Sequence, residues 1–150
     1  MPILYVDADA CPVKTEIYKV AQRHALRVVL VANSWMRTPL DERIGLVVVD
    51  GDLDAADDWI AERIGDRDIV ITADIPLASR CLERGALALS PTGRRFTDDM
   101  IGEAVATRDL LADLRDAGIA TGGPASFQKR DRSRFLQQLD EVIRIARRRV

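Results

Sequence analysis

Aspartates gather where strand-like runs end: Asp7 and Asp9 after Ile3-Leu4-Tyr5-Val6, Asp50 and Asp52 after Leu46 to Val49, and Asp74 in Ile71-Thr72-Ala73-Asp74. The stretch after Asp52 adds Asp54, Asp57 and Asp58. Carboxylates forced together raise one another's pKa unless a cation sits among them. Near Asp7 in sequence the one basic residue at hand is Lys14. A hard divalent cation, Mg²⁺ or Mn²⁺, takes oxygen ligands, keeps several waters and needs few protein carboxylates, so it would resolve the repulsion. Softer metals lack ligands: with one histidine, His24, and two distant cysteines, a His-rich zinc site, a His-carboxylate iron triad and an H-E-x-x-H protease are excluded by counting. The competing account is that strand-end aspartates are turn formers and helix caps. It suits Asp50, Asp52, Asp54 and Asp98, and suits Asp7 with Asp9 less well, since one helix start can use only one of them.

Such a set works only if the chain brings strand ends together. Short apolar runs, Ile3 to Val6, Val28 to Val31, Leu46 to Val49, Ile69 to Ile71 and Ala86 to Leu89, alternate with helical periods. Uninterrupted apolar strands are buried on both faces, which predicts a three-layer αβα domain with a mostly parallel central sheet and right-handed crossovers. In an open sheet of this kind, ligands bind beyond the carboxyl ends of the strands. Asn33 and Ser34, after the second strand, belong to the same edge. The first helix, from about Pro12, carries the stripe Val13, Ile17, Val20, Ala21 and His24, with His24 read as structural. The second, from about Asp54, carries Ala56, Ile60 and Ile64; Asp57 lies beside that stripe, near the sheet, and is the best third carboxylate. A further helix covers 75–84. Residues 97–117 and 131–148 read as two more, separated by the Gly118 to Pro124 segment.

The 150 residues suit a single domain spanning 1–150, with a basic helical C-terminal extension from about 121. With 47% apolar and 31% charged residues the chain is neither disordered nor a membrane protein. Its longest apolar run, Val28 to Ala32, falls far short of the roughly 20 residues of a spanning helix. No signal-peptide pattern opens the chain, so a cytoplasmic location is expected, with Cys11 and Cys81 as reduced thiols. The net charge of −2 divides into −7 over residues 1–120 and +5 over 121–150, a split that favours a nucleic-acid partner. The same tail also suits a helix whose terminal arginines meet its own dipole. Trp35 and Met36, in the polar loop Asn33 to Glu42, either contact a partner or fold back onto the core. The C-terminal helices could complete the fold, pair in a homodimer or follow a nucleic acid.

Tyr5-Val6-Asp7-Ala8-Asp9-Ala10-Cys11-Pro12-Val13-Lys14 and Asp68 to Ala78, with Thr121-Gly122-Gly123-Pro124 and Arg130-Asp131-Arg132, resemble the bacterial YaiI/YqxD family over nearly the whole chain. That family is similar in turn to the PIN-like nuclease superfamily, whose members cleave RNA or DNA with Mg²⁺ or Mn²⁺ held by acidic residues at strand ends. The resemblance matches Asp7 to the acid ending the first strand, Asp57 to the acid on the central helix, and Thr72 with Asp74 to a T-x-D after the fourth strand. Asp9 belongs to the YaiI/YqxD motif itself. The further acid usual after the fifth strand is missing from Ala86 to Gly93, and only Asp98 or Asp99 could replace it, which sets the chain apart from a full two-metal site.

The resemblance thus implies a metal-dependent nuclease acting on RNA or DNA. Asp7, Asp57 and Asp74 would hold Mg²⁺ or Mn²⁺, and Asp9 would bind a second cation or orient water as a fourth catalytic acid. Lys14, Ser34 and Thr72 would position phosphate, and Arg94, Arg95, Lys129, Arg130, Arg132 and Arg134 offer positive surface for the substrate backbone. Phe127 and Phe135 bracket the last four; at this spacing Phe135 reads as the apolar anchor of its helix. Two rivals stand beside this expectation. One is a haloacid-dehalogenase-like phosphatase with Asp7 as nucleophile, Asp9 as acid and Ser34 in a second motif, although no lysine falls in the order that chemistry needs. The other is a catalytically idle PIN-like module that binds nucleic acid or protein.

Overall fold

The computed structural model describes residues 1–9, 11–51, 54–102 and 127–149. The apolar runs form β1 (Ile3–Asp7), β2 (Arg27–Ala32), β3 (Ile44–Val48), β4 (Ile69–Ile71) and β5 (Leu87–Leu89), to which a two-residue strand, β6 (Arg95–Phe96), is added. They make one sheet in the order β3-β2-β1-β4-β5-β6. The first five are parallel, in a register that sets Asp7 opposite Val31, Val6 opposite Ile71 and Ile71 opposite Leu89. β6 runs antiparallel to β5, with Arg95 opposite Leu89.

Helices α1 (Lys14–His24) and α4 (Lys129–Arg148) cover one face, and α2 (Ala55–Arg63) and α3 (Ile75–Glu83) the other. Alternate strand residues divide accordingly. Leu4, Val6, Leu30, Ile69 and Ile71 pack under Ile17 and Val20 of α1 and Phe135, Leu139 and Ile143 of α4. Tyr5, Val31 and Val70 pack under Ile60 and Ala61 of α2 and Leu77, Ala78 and Cys81 of α3. This is the three-layer αβα arrangement with a mostly parallel sheet. The apolar stripe of α4 is fully buried, each large side chain being worth roughly 1.5–3 kcal/mol relative to exposure. Phe135 is indeed the anchor of that helix.

Several boundaries differ from the sequence expectation. α1 opens at Lys14 rather than near Pro12, because the first helical bond runs from the Ile17 N–H to the Val13 carbonyl; Pro12 lies outside it in an exposed turn. β3 begins two residues earlier than its densest apolar run, since Ile44 already pairs with Val28. The strand β6 was not foreseeable from apolar content, for it has two residues and one is an arginine. A helical turn starts at residue 98, but Thr97, not Asp98, caps it by accepting the Met100 N–H. Asp54 stands at the start of α2 without a side-chain capping bond. The remainder of the helix expected over 97–117, the Gly118 to Pro124 segment, Asp52, and the expected beginning of the extension near 121 lie outside the described residues.

The β5–β6 turn needs glycine. Gly93 has φ +88°, and a Cβ there would fall 2.7 Å from backbone atoms of Arg134 and Phe135. The turn therefore sits directly on the first turns of α4.

Candidate functional site

The chain leaves β1 toward β2 and β3 on one side, and leaves β4 toward β5 on the other. The carboxyl ends of β1 and β4 consequently diverge and leave the crevice in which open α/β sheets bind ligands. Asp7 is the last residue of β1, and Thr72, buried, comes directly after β4. The Thr72 hydroxyl donates to Asp7 Oδ2 at 2.9 Å and accepts the Asp74 N–H at 3.0 Å, linking both lips of the crevice through one side chain. Asp74 Oδ1 in turn accepts the Leu77 N–H at 2.8 Å and caps α3. The capping role expected of other strand-end aspartates is thus filled here by Asp74, with Pro76 in the first turn.

Asp9 is exposed, and its Oδ2 accepts the Asn33 N–H at 2.9 Å. That bond ties the exit of β1 to the exit of β2. Asp57, half-buried on α2, faces the same neighbourhood from the α2–α3 side. Its carboxyl is pushed up to about 6, chiefly by burial and then by the charges of Asp74, Asp7 and Asp54. Burial also raises Asp7, with Asp74 and Asp9 adding to the effect and the Thr72 bond opposing it. Asp7, Asp57 and Asp74 therefore share one electrostatic environment, a condition that recurs at functional sites.

Among the described residues, no three His, Cys, Asp or Glu groups converge closely enough to hold a metal ion by themselves. The donor set is nevertheless all oxygen and mutually repulsive. It fits a Mg²⁺-type ion bound through one or two carboxylates, with waters and a substrate phosphate supplying the rest, and does not fit a closed three-carboxylate cage.

The basic residues fall into distinct places. Lys14 Nζ donates to the Cys11 carbonyl at 3.0 Å, which holds it over the turn between β1 and α1. Ser34 is exposed in the loop after β2. Arg94, exposed, and Arg95, half-buried, follow Gly93, whose backbone lies against Arg134 of α4. Lys129 and Arg130 are exposed in the first turn of α4. Arg132 is not free: it pairs with Glu16 of α1, and its guanidinium lies 5.4 Å from the Phe127 ring centroid.

Sequence reasoning passed over Glu16, whose Oε2 is buried without a hydrogen-bond partner. Its position three residues after Val13, on the flank of the apolar stripe, was the available signal. It also passed over the far end of the same helix pair. There His24 Nε2 lies 2.7 Å from Asp140 Oδ1, with Arg23 and Arg144 on the same carboxylate, so His24 is structural as its place in the stripe suggested. Cys11 and Cys81 are free, buried thiols; burial raises both, Cys81 to about 12, so neither is poised as a nucleophile. No helix among the described residues is long and apolar enough to cross a membrane.

The family model described as uncharacterized, YaiI/YqxD, matches residues 5–145. A UPF0178 protein of Rhodopseudomonas palustris strain TIE-1 is 59% identical over 147 residues, covering 97% of this chain and 93% of the relative. A UPF0178 protein of Rhodospirillum rubrum is 57% identical over 146 residues, covering 97% of both chains. No solved structure matches. The residues matched include Asp7, Thr72, the capping Asp74 and most of α4, and on that match the chain belongs to the YaiI/YqxD family.

Proposed function

We propose that this protein is a divalent-cation-dependent phosphodiesterase acting on nucleic acid, with RNA as the first substrate to test. The observation that carries the reading is the Asp7–Thr72–Asp74 chain of hydrogen bonds across the β1/β4 crevice, beside the raised carboxyl of Asp57. The resemblance of the same residues to the PIN-like pattern supports it.

Asp7 and Asp74 would hold Mg²⁺ or Mn²⁺, with Asp57 adjacent. When bound, such an ion neutralises the carboxylates, polarises a phosphoryl oxygen and acidifies a bound water. Thr72 fixes the orientation of Asp7 by occupying Oδ2. Asp57, half-buried beside the two carboxylates, would accept a proton from water or return one to a leaving oxygen. Asp9, whose Oδ2 accepts the Asn33 N–H at the β2 exit, would orient water. Arg94, Lys129 and Arg130 give the substrate phosphates a positive approach to an otherwise acidic edge.

The test is Mn²⁺ and Mg²⁺ titration calorimetry on the wild type, Asp7→Asn and Asp74→Asn, with circular dichroism to establish folding and a labelled-RNA cleavage assay alongside. Binding and cleavage present in the wild type and lost in both folded variants support the proposal. A folded wild type that cuts neither RNA nor DNA in either cation would overturn it, and oligonucleotide binding without cleavage would favour an idle binding module.

A further inference from the structure

We infer that Trp35 is a stacking platform for an unpaired base of a single-stranded substrate, beside the acidic crevice. The inference rests on the phosphodiesterase reading for its substrate class, but its own observations are separate. Trp35 is 75% exposed. It lies three residues beyond the end of β2, whose carboxyl end adjoins that of β1, and the intervening Asn33 is pinned to Asp9. The indole is thereby placed on the same sheet edge as Asp7 and Asp9.

The loop holds it outward. Met36, the next residue, is half-buried against the core cluster on the α1/α4 face of the sheet, so the chain at this point commits one side chain inward and leaves its neighbour in water. The other tryptophan behaves differently: Trp59 is half-buried, Arg63 lies 4.1 Å over its ring and Tyr5 6.3 Å from it. Among the described residues Trp35 has no aromatic or cation partner of this kind.

A protein-binding patch would need more apolar surface than one ring. Leu40, the other exposed large side chain of this loop, does not extend it. The loop runs back along the sheet toward β3, and by Asp41 it has reached Gln22, close to the end of α1 away from the crevice. The loop residues flanking Trp35 in sequence are polar: Asn33, Ser34 and the guanidinium-bearing Arg37 are all exposed. A flat ring among hydrogen-bonding groups and one positive charge matches a nucleobase with its phosphate, because every base offers a π-face and stacking is indifferent to sequence. Duplex RNA keeps its bases stacked within the helix and would not use the ring.

The experiment uses the full chain carrying Trp59→Phe, so that Trp35 alone fluoresces, titrated with a short oligouridylate and with duplex RNA in Ca²⁺ and in EDTA. Labelled-oligonucleotide affinities are then measured for Trp35→Ala and Trp35→Phe in the wild-type background, with sedimentation velocity on each. Expected are quenching by the single strand only, a loss of single-strand affinity of roughly 5- to 150-fold in Trp35→Ala, and retention of most of it in Trp35→Phe. Unchanged affinity in Trp35→Ala, alongside cleavage that still requires Asp7, would overturn the inference and leave the phosphodiesterase reading intact. A wild type that binds no oligonucleotide and cuts none would overturn both. A wild-type dimer that Trp35→Ala dissociates would overturn it in favour of a second copy of this chain as the occupant.

Discussion

Replacing Asp57 with Asn should stabilise the protein at neutral pH and leave its stability unchanged in mild acid. Asp57 has an ordinary value of 3.8 in the unfolded chain and about 6 in the folded one. The folded state therefore binds the proton more tightly, and the stability linked to this group is fully present below 3.8 and lost as the pH rises through about 6. Each pH unit of displacement corresponds to 1.36 kcal/mol, so the ceiling is about 3 kcal/mol. Asp57 is only half-buried on α2, and solvent screening reduces that to roughly 1 kcal/mol. For a chain of this length, 1 kcal/mol moves Tm by about 2–4 °C. Asparagine keeps the shape and removes the charge facing Asp74 and Asp7. The assay is the melting temperature of wild type and Asp57→Asn from pH 4 to pH 8 in EDTA, read as the difference between the two, which cancels the titration of carboxylates remote from the crevice. The difference should be near zero at pH 4 and reach about 2–4 °C in favour of the variant at pH 7.5. A difference that is flat with pH, or one that favours the wild type at pH 7.5, would refute the claim that Asp57 sits in a repulsive acidic crevice.

Thr72→Val removes one hydroxyl and strands two partners, Asp7 Oδ2 and the Asp74 N–H, at a cost of about 2–3 kcal/mol; urea midpoints should fall with the m-value unchanged, while Thr72→Ser retains most of the stability. Gly93→Ala forces a side chain at φ +88° against the backbone of Arg134, and should cost roughly 3 kcal/mol by denaturant titration. At the other end of α4, the His24 hydrogen bond, with help from Arg144 and Arg23, holds Asp140 below the ordinary carboxylate value. The stability it lends is present above 3.8 and lost as the pH falls through its folded value, so Asp140→Asn should cost about 1 kcal/mol at pH 7, with the gap closing in acid.

The sheet was legible because burial on both faces leaves uninterrupted apolar runs; strand-end position then marked Asp7 and Asp74 together with Asp9, Asp50 and Asp52, and the resemblance added Thr72. What was not legible depends on tertiary contact. Nothing local tells that Asp9 will bond the N–H of Asn33, or that Glu16 will meet Arg132 across two helices far apart in sequence. Capping by Asp54 and Asp98 failed for a related reason. Aspartate at a helix start is a permission to cap, and whether it does so depends on backbone geometry: Asp74, with extended backbone, reaches the Leu77 N–H, while Asp54, already in helical geometry, does not. Pro12 misled in the same way, since its fixed φ suits a first helical turn but equally suits the turn that precedes one.

The charge asymmetry acquires a different meaning once α4 is placed. As a sequence, residues 121–150 form one basic tail. In the fold, α4 runs with α1, from the crevice edge of the sheet back to the opposite edge: Arg132 at its start meets Glu16 near the start of α1, and Asp140 further along meets His24 at the end of α1. The basic residues are thereby sorted into two groups. Lys129, Arg130 and Arg134 stand at the crevice edge beside Arg94 and Arg95. Arg147 and Arg149 stand at the other edge, where they donate to the carbonyls of His24, and of Asp66 and Gly85, and stitch the helix end to the turns beneath it. A polyanion approaching the acidic crevice would be repelled by Asp7, Asp9, Asp57 and Asp74 unless positive charge lay alongside; of the two groups on α4 the first can supply it, and the second belongs to the fold.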